Sequence, residues 1–155
     1  MRRAAAVLAL GLAAVAAGCT RPELSEDEYQ RRAAEICADT ERRERALGDP
    51  RTDAEVVPLL GRVRALHRRE TERIARLNPP VDREKEHDRA VRIGRDEDRM
   101  AERLIDRLRR SPTPRADLLR SRTEWRSLGR HYGRRVRREG RLPGCVDRRS
   151  TSLLP

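Results

Sequence analysis

Apolar side chains are scarce in this chain, and they recur at intervals of three and four residues. Charged residues make up 41% of the sequence, phenylalanine is absent, and the mean hydropathy is −0.91. Such a composition favours disorder unless the apolar residues collect on one face of a regular element. The observed spacing collects them on helical faces. The sequence therefore predicts an all-α fold with a thin core.

The boundaries of the first two helices carry local signals. Two capping boxes, 25–28 and 52–55, predict where the helices begin. Gly48 and the run Asn78-Pro79-Pro80 predict where they stop. Pro58 falls inside the second helix and must either kink it or mark its true start. The predicted inner face of the first helix consists of Tyr29, Ala33, Ile36, Cys37, Thr40 and Leu47.

Two further helices complete the pattern. The third is predicted from near Asp82 to about Arg110, and the fourth has Thr113 as N-cap and Pro114 as its first residue. Gly140 closes the fourth helix, and an irregular tail follows. Short connections between long amphipathic helices favour an up-down four-helix bundle. The fourth helix is predicted to bury Leu118, Trp125, Leu128, Tyr132 and Val136.

The N-terminal segment has the layout of an export signal. Arg2 and Arg3 precede an uncharged apolar run over residues 4–17. That run is too short to cross a bilayer as a helix, which takes about 20 residues. The segment is therefore predicted to be a removed secretory signal.

The end of this segment, Ala16-Ala17-Gly18-Cys19, resembles the lipobox of bacterial lipoproteins. In that family a diacylglyceryl group is attached to the cysteine thiol, and the chain is cut just before it. The resemblance implies a signal peptide over residues 1–18, a lipidated tether over 19–24 and a helical bundle domain over 25–155. It also implies a cell-membrane anchor on the extracytoplasmic face. The alternative is an ordinary signal peptide cut nearby, which leaves a free secreted protein.

Acylation of Cys19 would leave two cysteines, Cys37 and Cys145, an even number in an oxidising compartment. In an up-down bundle the end of the fourth helix lies beside the start of the first. The residues from Gly140 to Cys145 can then span the roughly 18 Å to Cys37. We therefore predict a disulfide that ties the irregular tail back to the bundle. Redox or metal-binding thiols are the alternative, but the chain has no C-x-x-C motif.

Three short motifs extend the resemblance. Cys37 in the first helix, the run 77–80 (Leu-Asn-Pro-Pro) and the late Gly140, Gly144 and Cys145 resemble small, uncharacterised actinobacterial exported helical proteins. This resemblance implies a helical exported domain and supplies no activity.

The formal charge is +11, and almost all of it is arginine, since Lys85 is the single lysine. This skew is also typical of a high-GC genome, so part of the basicity has a compositional explanation. Surfaces that bind single-stranded nucleic acid interleave basic residues with aromatic rings. Here only Tyr29, Trp125 and Tyr132 are aromatic, so we do not expect a nucleic-acid partner.

The most basic stretch lies at the predicted end of the fourth helix. In an up-down bundle this end lies near the tether and is expected to face the outer leaflet. The alternative is a solvated helix end whose arginines interact only with the C-terminal helix dipole. The expected partners are anionic: lipid head groups, phosphate-bearing wall polymers or an acidic envelope protein. We therefore expect a non-enzymatic binding or scaffolding protein. The residues of this predicted anionic-surface site are Arg130, Arg134, Arg135, Arg137, Arg138 and Arg141.

A second hypothesis places a small-molecule pocket inside the bundle. Antiparallel pairing about residues 49–50 sets Tyr29 level with Glu70, and pairing about residues 79–80 sets Glu70 near His87. Converging polar groups are typical of ligand pockets. A hydrogen-bonded buried layer is the other interpretation. Gly94 and Gly129 also fall level and predict a close approach of helices.

Catalytic and metal-binding patterns are weak. Glu84-x-x-His87 has the spacing that di-iron bundles use, but those proteins need the motif twice. No serine has a histidine and an aspartate at a recognisable spacing, and no glycine-rich phosphate loop occurs. We therefore predict no metal, no cofactor and no enzymatic activity, with an enzyme of unrecognised type as a third hypothesis.

Overall fold

The computed structural model describes residues 22–121, and helices make up most of this range. Helix α1 spans Glu26–Arg45, α2 spans Asp53–Ala75 and α3 spans Glu84–Arg109. A short 3-10 turn, Val81–Arg83, leads directly into α3. Residues 114–121 form the start of a further helix, α4. Within residues 22–121 there is no strand, which confirms the all-α prediction for that part of the chain.

Helix α1 begins where the sequence predicts and ends slightly earlier. The Ser25 hydroxyl oxygen accepts a hydrogen bond from the backbone N–H of Glu28 at 3.3 Å. The carboxylate of Glu28 does not complete the capping box, because it pairs instead with Arg32 one turn later. The helix ends at Arg45, three residues before Gly48. Gly48 adopts a φ of +64°, a left-handed conformation that favours glycine.

Helix α2 has a complete capping box. The Thr52 side chain accepts from the backbone of Glu55, and the Glu55 carboxylate accepts from the backbone N–H of Thr52. Pro58 lies inside the helix rather than at its start. It lacks an N–H group, so the carbonyl of Ala54 loses its usual partner. The ring is exposed to solvent, where water can satisfy that carbonyl.

The described core consists of two separate clusters. The first combines α1 side chains with Ile74 of α2 and Val91 of α3, and partly buried Leu24 packs against it. The second contains no α1 residue and combines α2, α3 and α4. The α1 members of the first cluster are Tyr29, Ala33, Ile36 and Cys37. The members of the second cluster are Val56, Leu108 and Leu118.

A stagger between α1 and α2 explains the two clusters. Cys37 lies beside Glu70, and Asp39 accepts a hydrogen bond from Arg73 at 2.8 Å. These pairs place the end of α1 about eleven residues past the start of α2, so ~16 Å of α2 extends beyond α1. The connection over residues 46–52 crosses that distance. The first turns of α4 cover the part of α2 that α1 leaves open.

Helices α2 and α3 pair in antiparallel fashion and approach each other closely at Gly94. A Cβ atom on Gly94 would lie 2.4 Å from Oγ1 of Thr71, and Gly94 is buried. The sequence predicts a close approach of Gly94 to Gly129 of the fourth helix. The neighbour here is α2, and Gly129 lies outside the described residues.

The start of α4 is fixed to the start of α2. The backbone N–H of Arg115 donates to Oδ1 of Asp53 at 2.7 Å, and its guanidinium donates to the carbonyl of Arg51 at 3.0 Å. Helix α4 begins at Pro114, as predicted, and buries Leu118. The start of α4 therefore lies at the opposite end of the molecule from the start of α1. The other predicted buried residues of this helix, Trp125, Leu128, Tyr132 and Val136, lie outside the described range.

Candidate functional site

The last residues of the predicted tether are bound to the connection between α2 and α3. The backbone N–H of Leu24 donates to the carbonyl of Asn78 at 3.1 Å. The backbone N–H of Val81 donates to the carboxylate of Glu23 at 3.0 Å. We call these four residues the tether clasp. A hydrophobic residue just before an N-cap often packs on the first turn of its helix, and Leu24 carries that sequence signal.

Arg83 reinforces the clasp from inside. Its guanidinium lies 3.5 Å from the carboxylate of Glu26 on α1 and 2.8 Å from that of Glu86 on α3. The side chain of Arg83 is largely shielded from solvent, which limits screening of both pairs. The start of α1 is therefore held to the start of α3 by charge as well as by the clasp. These contacts fix the position of residues 23–26 on the domain.

Two of the three predicted pocket residues meet directly. The Tyr29 hydroxyl lies 3.1 Å from Nδ1 of His87, and the rings pack edge to face with centroids 5.9 Å apart. Tyr29 is 1% exposed and His87 is 6% exposed. Burial raises the pKa of Tyr29 to about 12 and lowers the pKa of His87. Both groups are therefore neutral near pH 7, and the phenol donates when the imidazole carries its proton on Nε2.

The third predicted pocket residue lies elsewhere in the interior. Glu70 is 3% exposed, and its Oε1 lies 3.6 Å from Sγ of Cys37. Cys37 follows Tyr29 by eight residues on α1, a separation of about 12 Å along the helix. The predicted pairing of Tyr29 with Glu70 is therefore displaced by about two helical turns. It assumed a tight hairpin, whereas residues 46–52 allow the stagger. Glu70 and the Tyr29–His87 pair occupy different layers.

A partly buried ion pair, which the sequence did not predict, joins α2 to α3. Arg64 donates through Nε and Nη2 to the two carboxylate oxygens of Asp98, at 2.8 and 3.0 Å, and contacts Glu102 at 3.1 Å. The hydrogen bonds raise the pKa of Arg64 and lower that of Asp98. This fork geometry is specific to arginine. Nothing in the sequence separates Arg64 from the other arginines, because its partners are more than 30 residues away.

The excess positive charge does not come from the described residues. Residues 22–121 contain 24 Lys and Arg against 23 Asp and Glu, so they are almost neutral. Residues 122–155 contain ten arginines against three acidic residues. The predicted anionic-surface arginines, from Arg130 to Arg141, belong to that segment, and they and Cys145 lie outside the described residues. Basicity is therefore concentrated at the C-terminal end of the sequence.

Two further observations concern residues 22–121. They contain no group of three or more His, Cys, Asp or Glu side chains arranged to hold a metal ion. None of their helices combines the length and the apolar character needed to cross a bilayer.

In comparisons with known proteins, no family model, curated protein or solved structure matches this chain.

Proposed function

We propose that this chain is a non-enzymatic lipoprotein of the cell envelope, anchored through Cys19 on the extracytoplasmic face of the membrane. Its partner would be an anionic surface, either lipid head groups, a phosphate-bearing wall polymer or an acidic envelope protein. The lipobox resemblance supports the anchor. The tether clasp supports it further, because it holds the chain rigidly only four residues after Cys19. Two acyl chains on one cysteine suffice for stable anchoring.

The observation that supports an anionic partner is the uneven distribution of charge along the sequence. A compositional drift toward arginine would raise the net charge throughout the chain. Instead, residues 22–121 balance 24 basic against 23 acidic residues, and many of these form ion pairs one turn apart. Most of the surplus, +7 of the +11, lies in residues 122–155. A segment with ten arginines and three acidic residues is a polyanion-binding composition.

The proposed architecture is an up-down four-helix bundle whose tail is tied back by a disulfide between Cys37 and Cys145. Two features of the described residues support it. Helix α4 starts beside Asp53, at the end remote from the clasp, so a continuing helix would run back toward the start of α1. Cys37 is buried on the inner face of α1, where the proposed returning tail would pack. This arrangement would bring the arginine-rich segment to the membrane-proximal end.

Binding of a lipid-free protein starting at Thr20 to vesicles tests the anionic partner. Each arginine near an anionic surface contributes about 1 kcal/mol, so four substitutions to glutamine should weaken binding by roughly three orders of magnitude. The test variant carries glutamine at Arg134, Arg135, Arg137 and Arg138. The charge-matched control carries glutamine at Arg42, Arg43, Arg109 and Arg120, which are exposed in the described structure.

We expect the unsubstituted protein and the control to bind anionic vesicles, to dissociate in high salt and to ignore neutral vesicles. The test variant should lose most of this binding. If the test variant and the control weaken equally, the effect is one of net charge, and the assigned arginines have no special role. Purified wall polymer replaces the vesicles in a parallel titration, which decides between lipid head groups and the wall polymer as the anionic surface.

A further inference from the structure

The two large apolar side chains most exposed in residues 22–121 lie at opposite ends of the molecule. Val81 is 70% exposed and belongs to the tether clasp. Leu119 is 54% exposed and lies on α4, near the start of α2. Pro79 and Pro80 are buried directly before Val81, and its N–H is bound to Glu23. Val81 is therefore presented on a rigid turn rather than on a loose loop.

The length of the tether fixes how far Val81 can lie from an anchored Cys19. Four Cα steps separate Cys19 from Glu23, a reach of at most about 14 Å. The glutamate side chain then contacts Val81 directly. The opposite end of the molecule lies one length of α3 farther, ~39 Å for 26 residues. With the chain anchored, Val81 can reach the lipid interface, and Leu119 can do so only if the bundle lies flat.

Charge decides between an upright and a flat orientation. The sides of the helices carry many exposed ion pairs, and burying them in lipid would cost their hydration. The residues around the clasp, 22–32 and 76–89, contain eight acidic and six basic side chains. These residues give no electrostatic attraction to an anionic leaflet. An apolar contact is the favourable interaction that this end of the described structure offers a membrane.

From this geometry we propose that the clasp end is a membrane-contacting surface, with Val81 entering the interfacial layer of the bilayer and α3 running along the membrane normal. The inference rests on the lipid anchor of the proposed function. It adds an orientation and a second, salt-independent contact to the arginine-rich surface. The partner of this surface is the lipid bilayer, and the acyl groups on Cys19 keep the clasp end close to it.

Depth-dependent quenching in vesicles tests this orientation. The lipidated full-length protein is reconstituted as Val81→Cys or, as the matched control, Leu119→Cys, and each is labelled with an environment-sensitive fluorophore. The unsubstituted protein serves as the blank for label on other cysteines. Lipids that carry a quencher at the head group or along the acyl chain report depth. Thermal unfolding of each variant confirms that the substitution at an exposed position leaves the domain folded.

The label at position 81 should be quenched strongly and shift its emission to shorter wavelength, in high salt as in low salt. The label at position 119 should respond to neither quencher. Equal quenching at both positions would mean that the bundle lies flat, and no quenching at 81 would mean that the clasp end stays in water. Either result overturns the orientation. Vesicle flotation is measured separately, since failure of the protein to float would instead remove the anchor itself.

Discussion

Replacing Gly94 with alanine should destabilise the helical domain, although alanine is the better helix former. The new Cβ would lie 2.4 Å from Oγ1 and 2.9 Å from Cγ2 of Thr71. Carbon atoms in van der Waals contact are about 3.5–4.0 Å apart. Rotation of Thr71 about its Cα–Cβ bond gives only partial relief, because it moves the two γ atoms but not Cβ, which lies 3.2 Å from the new methyl group. Helices α2 and α3 must therefore move apart.

The expected magnitude follows from two opposing contributions. Forcing an extra methyl group into a packed interface costs about 1–3 kcal/mol. Alanine regains roughly 1 kcal/mol of helix propensity over glycine. A net loss of about 1 kcal/mol corresponds to roughly 4 °C in melting temperature for a domain of this size. Gly61→Ala is the matched control, because no atom lies within 4 Å of its new Cβ. This control should stabilise the domain by about 0.5–1 kcal/mol.

Urea unfolding followed by far-UV circular dichroism measures these changes. In the Thr71→Ala background, Gly94→Ala should cost much less stability than it does in the unsubstituted protein, because the clashing γ atoms are absent. The expected coupling energy is about 1–2 kcal/mol. The packing argument is refuted if Gly94→Ala is as stable as the unsubstituted protein, or if its cost is the same in the Thr71→Ala background.

Four other predictions concern the cysteines and the buried Tyr29–His87 pair. The intact mass of the membrane-extracted protein should begin at Cys19 with added acyl groups, and a species that retains the N-terminal segment without modification would contradict the anchor. Cys37→Ser and Cys145→Ser should each lower stability by the same amount, up to about 4–5 kcal/mol, with no further loss in the double variant. Additive losses, or two alkylatable thiols in the unreduced protein, would exclude the disulfide. Tyr29→Phe should cost about 1–2 kcal/mol in urea unfolding, because Nδ1 of His87 loses its buried partner. Since burial lowers the pKa of His87 below its ordinary 6.5, the unfolded chain binds the proton more tightly. His87 therefore contributes stability that is present above pH 6.5 and is lost as the pH falls toward the lowered value. The urea midpoint should decline in that window less steeply for His87→Asn, and identical slopes would argue against this assignment.

Local features of the helices could be predicted because their physical causes are local. The caps at Ser25 and Thr52 depend on side chains that reach three residues along the chain. The inner face of α1 follows from spacing, and five of its six predicted members are buried. Leu47 is the exception, since α1 ends before it and leaves it partly exposed.

For residues 22–121 the sequence by itself therefore determined the helices and the inner face of α1, and it also places most of the net positive charge in the last 34 residues. Only the tertiary structure decided how far the helices slide along one another. The seven-residue connection after α1 tolerates several registers at nearly equal entropy. In the observed register Glu70 lies beside Cys37, and His87 contacts Tyr29. This register follows from the sum of many contacts, among them the Asp39–Arg73 pair between α1 and α2, whose partners lie 34 residues apart. The register cannot be predicted from a short stretch of sequence, because each of these contacts forms between residues that only the folded chain brings together.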